Sequence, residues 1–159
     1  MSRRAKLRPL ATIGYQSATP DSFGRALRDA HVELLVDVRA VASSRRPGFS
    51  KTRLAASLAE TGIDYVHLRA LGTPADGRAA ARAGRHAEMR RIFLAHMKTA
   101  DAQAALDDLV QLVRSGRRVC LLCFEADPAH CHRSIVASMV GERISVEIAN
   151  LIPDVESID

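Results

Sequence analysis

Apolar residues along this chain fall into two kinds of block. Four are short, nearly unbroken and rich in β-branched residues: Leu10 to Gly14 (LATIG), Val32 to Val38 (VELLVDV), Ile63 to Leu68 (IDYVHL) and Arg117 to Phe124 (RRVCLLCF). All four read as strands: the first and fourth as buried, and the near-continuous Val32 to Val38 as one covered on both faces. A fifth, Ile144 to Ile152 (ISVEIANLI), reads as a closing strand. Val32 to Val38 is the longest such run before the C-terminal half and is the expected central strand.

Between these blocks the apolar positions recur at helical spacing. Thr19 is placed to cap a helix that has Pro20 at its first position and Asp21 in its first turn. Phe23, Ala26, Leu27 and Ala30 carry its apolar stripe to about Ala30. Ser50 stands before KTRLAASLAET, which stops at Gly62. Two further helices are predicted at about Ala87 to Lys98 and Asp101 to Ser115, the second showing Leu106, Leu109, Val110 and Val113 on one face and closing at Gly116. A last helix lies around Ile135 to Val140. The polar segments Arg39 to Ser50 and Arg69 to Gly84 read as loops, the second with room for a helical turn in its alanines.

Strands alternating with helices predict a single-domain three-layer α/β sandwich of Rossmann-like or flavodoxin-like kind. Its mostly parallel sheet would have about five strands, with helices on both faces. Residues 1–9 form a basic tail and residues 10–159 the domain. With 159 residues, 47% of them hydrophobic, the chain can bury a core of its own. It has no apolar run of membrane-spanning length and no signal-peptide pattern, so a cytoplasmic location away from membranes is expected. Three cysteines argue against a disulfide framework.

The formal net charge of +5 allows attraction to polyanions, with Arg3, Arg4, Lys6 and Arg8 in the tail and Arg78, Arg82, Arg85, Arg90 and Arg91 further on. Against a dedicated nucleic-acid face stands the scarcity of stacking groups, since only 4% of residues are aromatic and none is Trp.

In an open parallel sheet, ligands bind beyond the carboxyl ends of the strands. Tyr15 follows the first strand. Asp37 ends the second, and Arg39, Ser43, Ser44, Arg45 and Arg46 follow it; Glu125, Asp127 and the Cys131 cluster follow the fourth. The unusual polar groups therefore share one predicted rim. The densest of them is DPAHCHRS, residues 127–134, which lies at or near a helix N-terminus whether the helix starts at Pro128 or at Cys131. Unpaired N–H groups and the dipole there favour an anion and lower a thiol pKa. Two readings of the cluster stand. Cys131 is an activated thiol with His132 beside it and Arg133 holding an anion; or Cys131 is a packing residue, His132 an orienting partner and Arg133 a brace for Glu125 or Asp37. Arg39 likewise either meets a ligand or pairs with Asp37 or Glu125. Arg46 precedes Pro47 and is biased to extended backbone, so only one of Arg45 and Arg46 is expected at the rim.

Cys123, His130, Cys131 and His132 are typical ligand types, yet no metal is expected. Cys120 and Cys123 lie three apart on one strand, so their side chains point to opposite faces, and no second closely spaced ligand pair exists.

The blocks TIGYQ, LLVDVRAVASSRRPGFSK, GIDYVHLRALGTP and LLCFEADPAHCHRSIVA, in that order, resemble the family catalogued as domain of unknown function 488, over about residues 10–152. The resemblance implies a compact α/β domain with a rim site drawn from Asp37, Arg39, Ser44, Arg46, Glu125, Cys131, His132 and Arg133. In one place the chain departs from it: Glu147 stands where a histidine is common in the closing strand. LLVDVR is also similar to the opening strand of rhodanese-type sulfurtransferases, but neither Cys123 nor Cys131 has the arginine spacing of their anion loop.

The expected function is a small enzyme or ligand-processing domain that takes an anionic, phosphate-bearing or nucleotide-like substrate at the rim, through no cofactor the residues identify. Cys131, His132, Glu125 and Asp37 would carry the chemistry, and Tyr15, Arg39, Ser44, Arg46 and Arg133 would bind. The alternative is a non-catalytic nucleic-acid-binding module that uses the tail and the loop arginines.

Overall fold

The computed structural model describes residues 7–154, so most of the basic tail lies outside the described residues. Strand β1 (Leu10–Gly14) leads to helix α1 (Pro20–Asp29), β2 (Leu34–Asp37), α2 (Lys51–Glu60) and β3 (Asp64–His67). After a 3-10 turn at Arg69–Leu71 come three helices, α3 (Ala75–Arg82), α4 (His86–His96) and α5 (Ala100–Arg114). Strand β4 (Val119–Cys123), a second 3-10 turn at Pro128–His130, α6 (His132–Arg143) and β5 (Ile148–Leu151) complete the chain.

All four strand pairings are parallel, in the order β3-β2-β4-β1-β5. The single-domain α/β sandwich predicted from the alternation is therefore what forms. Its strand order matches neither the 3-2-1-4-5-6 of the dinucleotide-binding fold nor the 2-1-3-4-5 of flavodoxin. The middle position belongs to β4 and not to β2, which sits second from one edge. Local pattern shows that a strand is buried, whereas its rank in the sheet depends on which crossovers skip a neighbour. Register fixes the mouth of the site: Gly14 lies opposite Cys123, Asp37 opposite Leu122, and His67 opposite Asp37.

The core has two halves, one on each face of the sheet. Leu35, Ile13, Leu122 and Cys120 pack with Phe23 and Leu27 of α1 and Leu54 and Leu58 of α2. On the opposite face Val36, Leu121 and Cys123 pack with Phe93 of α4, Leu106 and Val110 of α5, and Val136 and Val140 of α6. Cys120 and Cys123 thus occupy opposite faces, as their spacing requires. Among the described residues no helix is long and apolar enough to cross a membrane.

Helix starts follow the chemistry of their caps in one case and not in another. The Thr19 hydroxyl accepts from the Ser22 N–H and the Ser22 hydroxyl from the Thr19 N–H, both at 3.0 Å, a reciprocal box that stabilises α1 by about 1 kcal/mol. Ser50 occupies the cap position of α2, but its hydroxyl is spent on the Ser44 N–H at 2.9 Å and does not cap the helix.

The segment expected to be a loop with a helical turn contains the two-turn helix α3. Pro74 and Gly77 looked like loop residues. Pro74 is the N-cap of α3, and Gly77 is where α3 touches its neighbours. A Cβ there would lie 2.6 Å from the Thr73 methyl and 3.2 Å from Ile92 of α4. Helix α6 runs past its expected end to Arg143, and β5 is confined to four residues.

Candidate functional site

Because β4 lies between β2 and β1, the loops leaving these three strands open onto one mouth. A cavity of about 320 Å³ occupies it, walled by Tyr15, Arg39, Glu125, Cys131 and His132 together with Arg78 and Arg82 from α3. That volume falls at the small end of ligand pockets.

One wall is a polar network built on Asp37. Its carboxylate is fully buried and accepts from Arg39 three times, from Nε to both oxygens (2.9 and 3.1 Å) and from Nη2 at 2.8 Å. It also accepts the Arg39 backbone N–H at 3.0 Å and the Tyr65 hydroxyl. Arg39 Nη1 donates to the Phe49 carbonyl at 2.7 Å and to the Tyr15 hydroxyl at 3.2 Å, and the Arg39 carbonyl accepts from His67 Nε2 at 2.7 Å. Tyr15 is stacked on Phe49 with centroids 4.6 Å apart. Burial alone would make the Arg39 guanidinium easier to deprotonate, but the Asp37 hydrogen bonds and charge outweigh it and hold the group above its ordinary range. Burial, and then the bond and charge of Asp37, likewise hold Tyr65 protonated beyond the ordinary phenol range.

This network corrects one expectation. Asp37 was expected among the catalytic groups; its oxygens are taken up by Arg39 and Tyr65, it does not line the cavity, and it holds Arg39 in place. Arg39 keeps a place on the cavity wall, yet every one of its guanidinium nitrogens already has a partner.

The floor is a sulfur–imidazole cluster. Cys123 ends β4, Cys131 is the N-cap of α6 and His132 its first residue; all three are buried. The two cysteines are joined as a disulfide. His132 Nε2 lies 2.7 Å from the Val38 carbonyl, and a carbonyl can only accept, so Nε2 carries the ring proton. Nδ1 is then a bare lone pair, 3.8 Å from Cys123 Sγ and 3.9 Å from Cys131 Sγ. Burial pushes the imidazole down to about 4, so it is neutral at physiological pH. Its bond to Val38, one residue from Asp37, ties the Cys131 turn to the Arg39 loop at a common mouth.

Arg133 is not at that mouth. It is 0% exposed, its Nη1 donates to the Glu125 carbonyl at 2.5 Å and its Nη2 to the Ala126 carbonyl at 3.4 Å, while Nε is buried with no partner. Burial makes it easier to deprotonate than an ordinary arginine. The expected direct contact with a ligand is therefore corrected: Arg133 braces the turn after β4. Gly14 makes room for it, since a Cβ there would lie 1.7 Å from the Glu125 carbonyl oxygen and 3.0 Å from Arg133 Nη1.

Ser44 and Arg46 are also away from the cavity. The Ser44 hydroxyl accepts from the Arg46 N–H at 3.1 Å, and Arg46 Nη2 reaches the Ala18 carbonyl ahead of α1. Neither Arg45 nor Arg46 lines the cavity, against the expectation that one of them would. Glu125 does line the cavity, half-buried, and among the described residues its carboxylate has no hydrogen-bond partner.

Three contributors escaped the sequence reading. Sequence spacing presents Cys123 only as a metal-ligand type, although it ends a strand and so lies at the rim. Arg78 and Arg82 were assigned to a loop, yet their spacing of four puts both on one face of α3. Arg78 Nη1 donates to the Thr73 carbonyl at 2.9 Å. Arg82 is exposed and makes no hydrogen bond or salt bridge among the described residues. Fold and site together define a parallel α/β domain with a disulfide–imidazole cluster at its strand ends. Residues 19–140 match the family model described as domain of unknown function DUF488, and the chain belongs to that family. No curated protein and no solved structure matches it.

Proposed function

We propose that the chain is a small enzyme or ligand-processing domain that receives an anionic ligand in the strand-end cavity and acts on it with the Cys123–Cys131–His132 centre. The observation that carries this reading is the meeting of two unlike groups across one cavity, uncommitted positive charge on α3 and, on the floor, a reducible sulfur pair beside a bare imidazole nitrogen. Arg82 supplies the charge, with Arg39 and Arg78 held in fixed positions on the same wall. A forked guanidinium suits phosphate or carboxylate. Cys131 stands at the N-cap of α6 and its side chain makes no capping hydrogen bond, so the helix dipole favours its thiolate once the disulfide is reduced. Glu125 is the carboxylate on hand for proton transfer. Such a centre works in the cytoplasm, where thiols are kept reduced.

Inorganic phosphate provides the test. Followed by thermal denaturation, phosphate raises the melting temperature of the wild type in proportion to occupancy and leaves Arg82→Ala unmoved; equal stabilisation of both, or of neither, contradicts the reading. A nucleic-acid-binding role has one observation in its favour, the exposed Arg82, Arg85, Arg90 and Arg91 on adjoining helices. It predicts oligonucleotide binding that weakens steeply with salt and depends on all four.

A further inference from the structure

The sulfur–imidazole floor carries more than a reactive thiol. Cys123 Sγ, Cys131 Sγ and His132 Nδ1 all lie within 4.8 Å of one another. They come from two different elements, the end of β4 and the start of α6. A histidine that only packs has no need to show a bare nitrogen to two sulfurs. Here the tautomer is set by the Val38 carbonyl, which takes the Nε2 proton and leaves Nδ1 facing inward. A backbone carbonyl holding the distal nitrogen of a ligating histidine is the usual support behind a metal-bound imidazole. The α-carbons of the cysteine pair stand 7.4 Å apart, wider than the roughly 4.4–6.8 Å ordinary for a disulfide and open enough for both sulfurs to reach one ion.

Electrostatics point the same way. Arg133 is a fully buried cation with no carboxylate partner among the described residues, and its charge acts on His132. A positive group there favours loss of the thiol protons that an ion must displace. The three donors also leave one side uncovered, since the cavity with Glu125 and Arg82 opens directly above Cys123, Cys131 and His132.

We propose that, once a thiol or phosphine reductant has opened the disulfide, Cys123, Cys131 and His132 bind one zinc-type divalent ion whose fourth coordination position faces the cavity. Reduction adds two electrons and two protons to the sulfur pair, and ion binding releases both protons to solvent. Two thiolates and one neutral imidazole form a soft donor set suited to zinc, and three protein ligands with one open position is the pattern of catalytic rather than structural zinc. The inference rests on reading this centre as the working end of the cavity and sharpens it, since an anion drawn in by Arg82 would complete the ion's coordination. It also revises the expectation of no metal. That expectation weighed the Cys120–Cys123 spacing, and the ligand partner of Cys123 is instead eight residues downstream.

Cobalt(II) is the probe. Added to phosphine-reduced, chelator-stripped protein, it binds one ion per chain with thiolate-to-cobalt charge transfer and tetrahedral d–d absorption, and zinc displaces it. Cys123→Ser and Cys131→Ser each lose the charge-transfer band, while Cys120→Ser keeps it. Where a variant fails to fold, the wild type answers alone: one equivalent of zinc protects Cys123 and Cys131 from alkylation, read by peptide mass spectrometry. Reduced wild type that takes up no cobalt with charge transfer, or zinc that protects neither cysteine, overturns the proposal. Phosphate binding is measured separately on the metal-free protein, so cobalt bands without phosphate binding sink the anion reading and leave the metal site standing.

Discussion

Two polar clusters share one rim, joined through the His132–Val38 bond, and they differ in what is left over. Around Asp37 every acceptor and donor is consumed: four bonds from Arg39, one from Tyr65, and Arg39 closed in turn by Phe49 and Tyr15. Around His132 the distal nitrogen is satisfied and the proximal one is bare, facing two sulfurs at the base of a cavity. A saturated network of buried charge is a brace, whereas a cluster with unspent lone pairs and an approach path can do chemistry.

The sharpest way to break the contrast is to open the brace. Asp37→Ala leaves the buried Arg39 guanidinium without its counter-charge and is expected to cost about 3–5 kcal/mol, read from the urea midpoint. The His132 side responds to pH. The imidazole titrates at about 4 in the folded, metal-free protein and near 6.5 unfolded. The unfolded state therefore binds the extra proton first. Stability is complete above roughly pH 6.5 and falls as pH drops toward 4, by up to about 3 kcal/mol. Denaturant titrations from pH 7 to 4 check this, and His132→Gln is expected to flatten the slope. Gly14→Ala drives a methyl into the Glu125 carbonyl and is expected to lose about 1–3 kcal/mol while shifting the turn that Arg133 holds. Last in size, Arg82→Ala leaves stability within about 0.5 kcal/mol, because its guanidinium has no partner among the described residues to lose. Only its effect on phosphate is large.

Much of this architecture was legible in the residues. Unbroken apolar runs located the buried strands, the Thr19-Pro20 start and the Gly62 and Gly116 stops bounded helices within a few residues, and the strand-end rule gathered Tyr15, Arg39, Glu125, Cys131 and His132 to one cavity. What escaped has physical causes. The order of strands depends on crossovers that no local pattern encodes, so β4 and not β2 took the middle. Helix α3 was hidden by Pro74 and Gly77, whose roles as cap and contact point exist only against α4. Arg133 was expected to face a ligand because of its place beside Cys131 and His132. Successive helix residues point about 100° apart, and this one turned inward to hold the turn after β4. Cys123 and Cys131, eight residues apart, could not be paired by spacing, because the loop and 3-10 turn between them bring the sulfurs together.

One measurement bears most directly on the claim that the cavity joins an anion wall to a reactive sulfur centre: the alkylation rate of each cysteine in reduced, chelator-stripped protein, with and without saturating inorganic phosphate. The account predicts that Cys131 reacts ahead of the buried Cys120 and is slowed by phosphate. Cys131 reacting no faster than Cys120, or a rate that phosphate leaves unchanged, would contradict it.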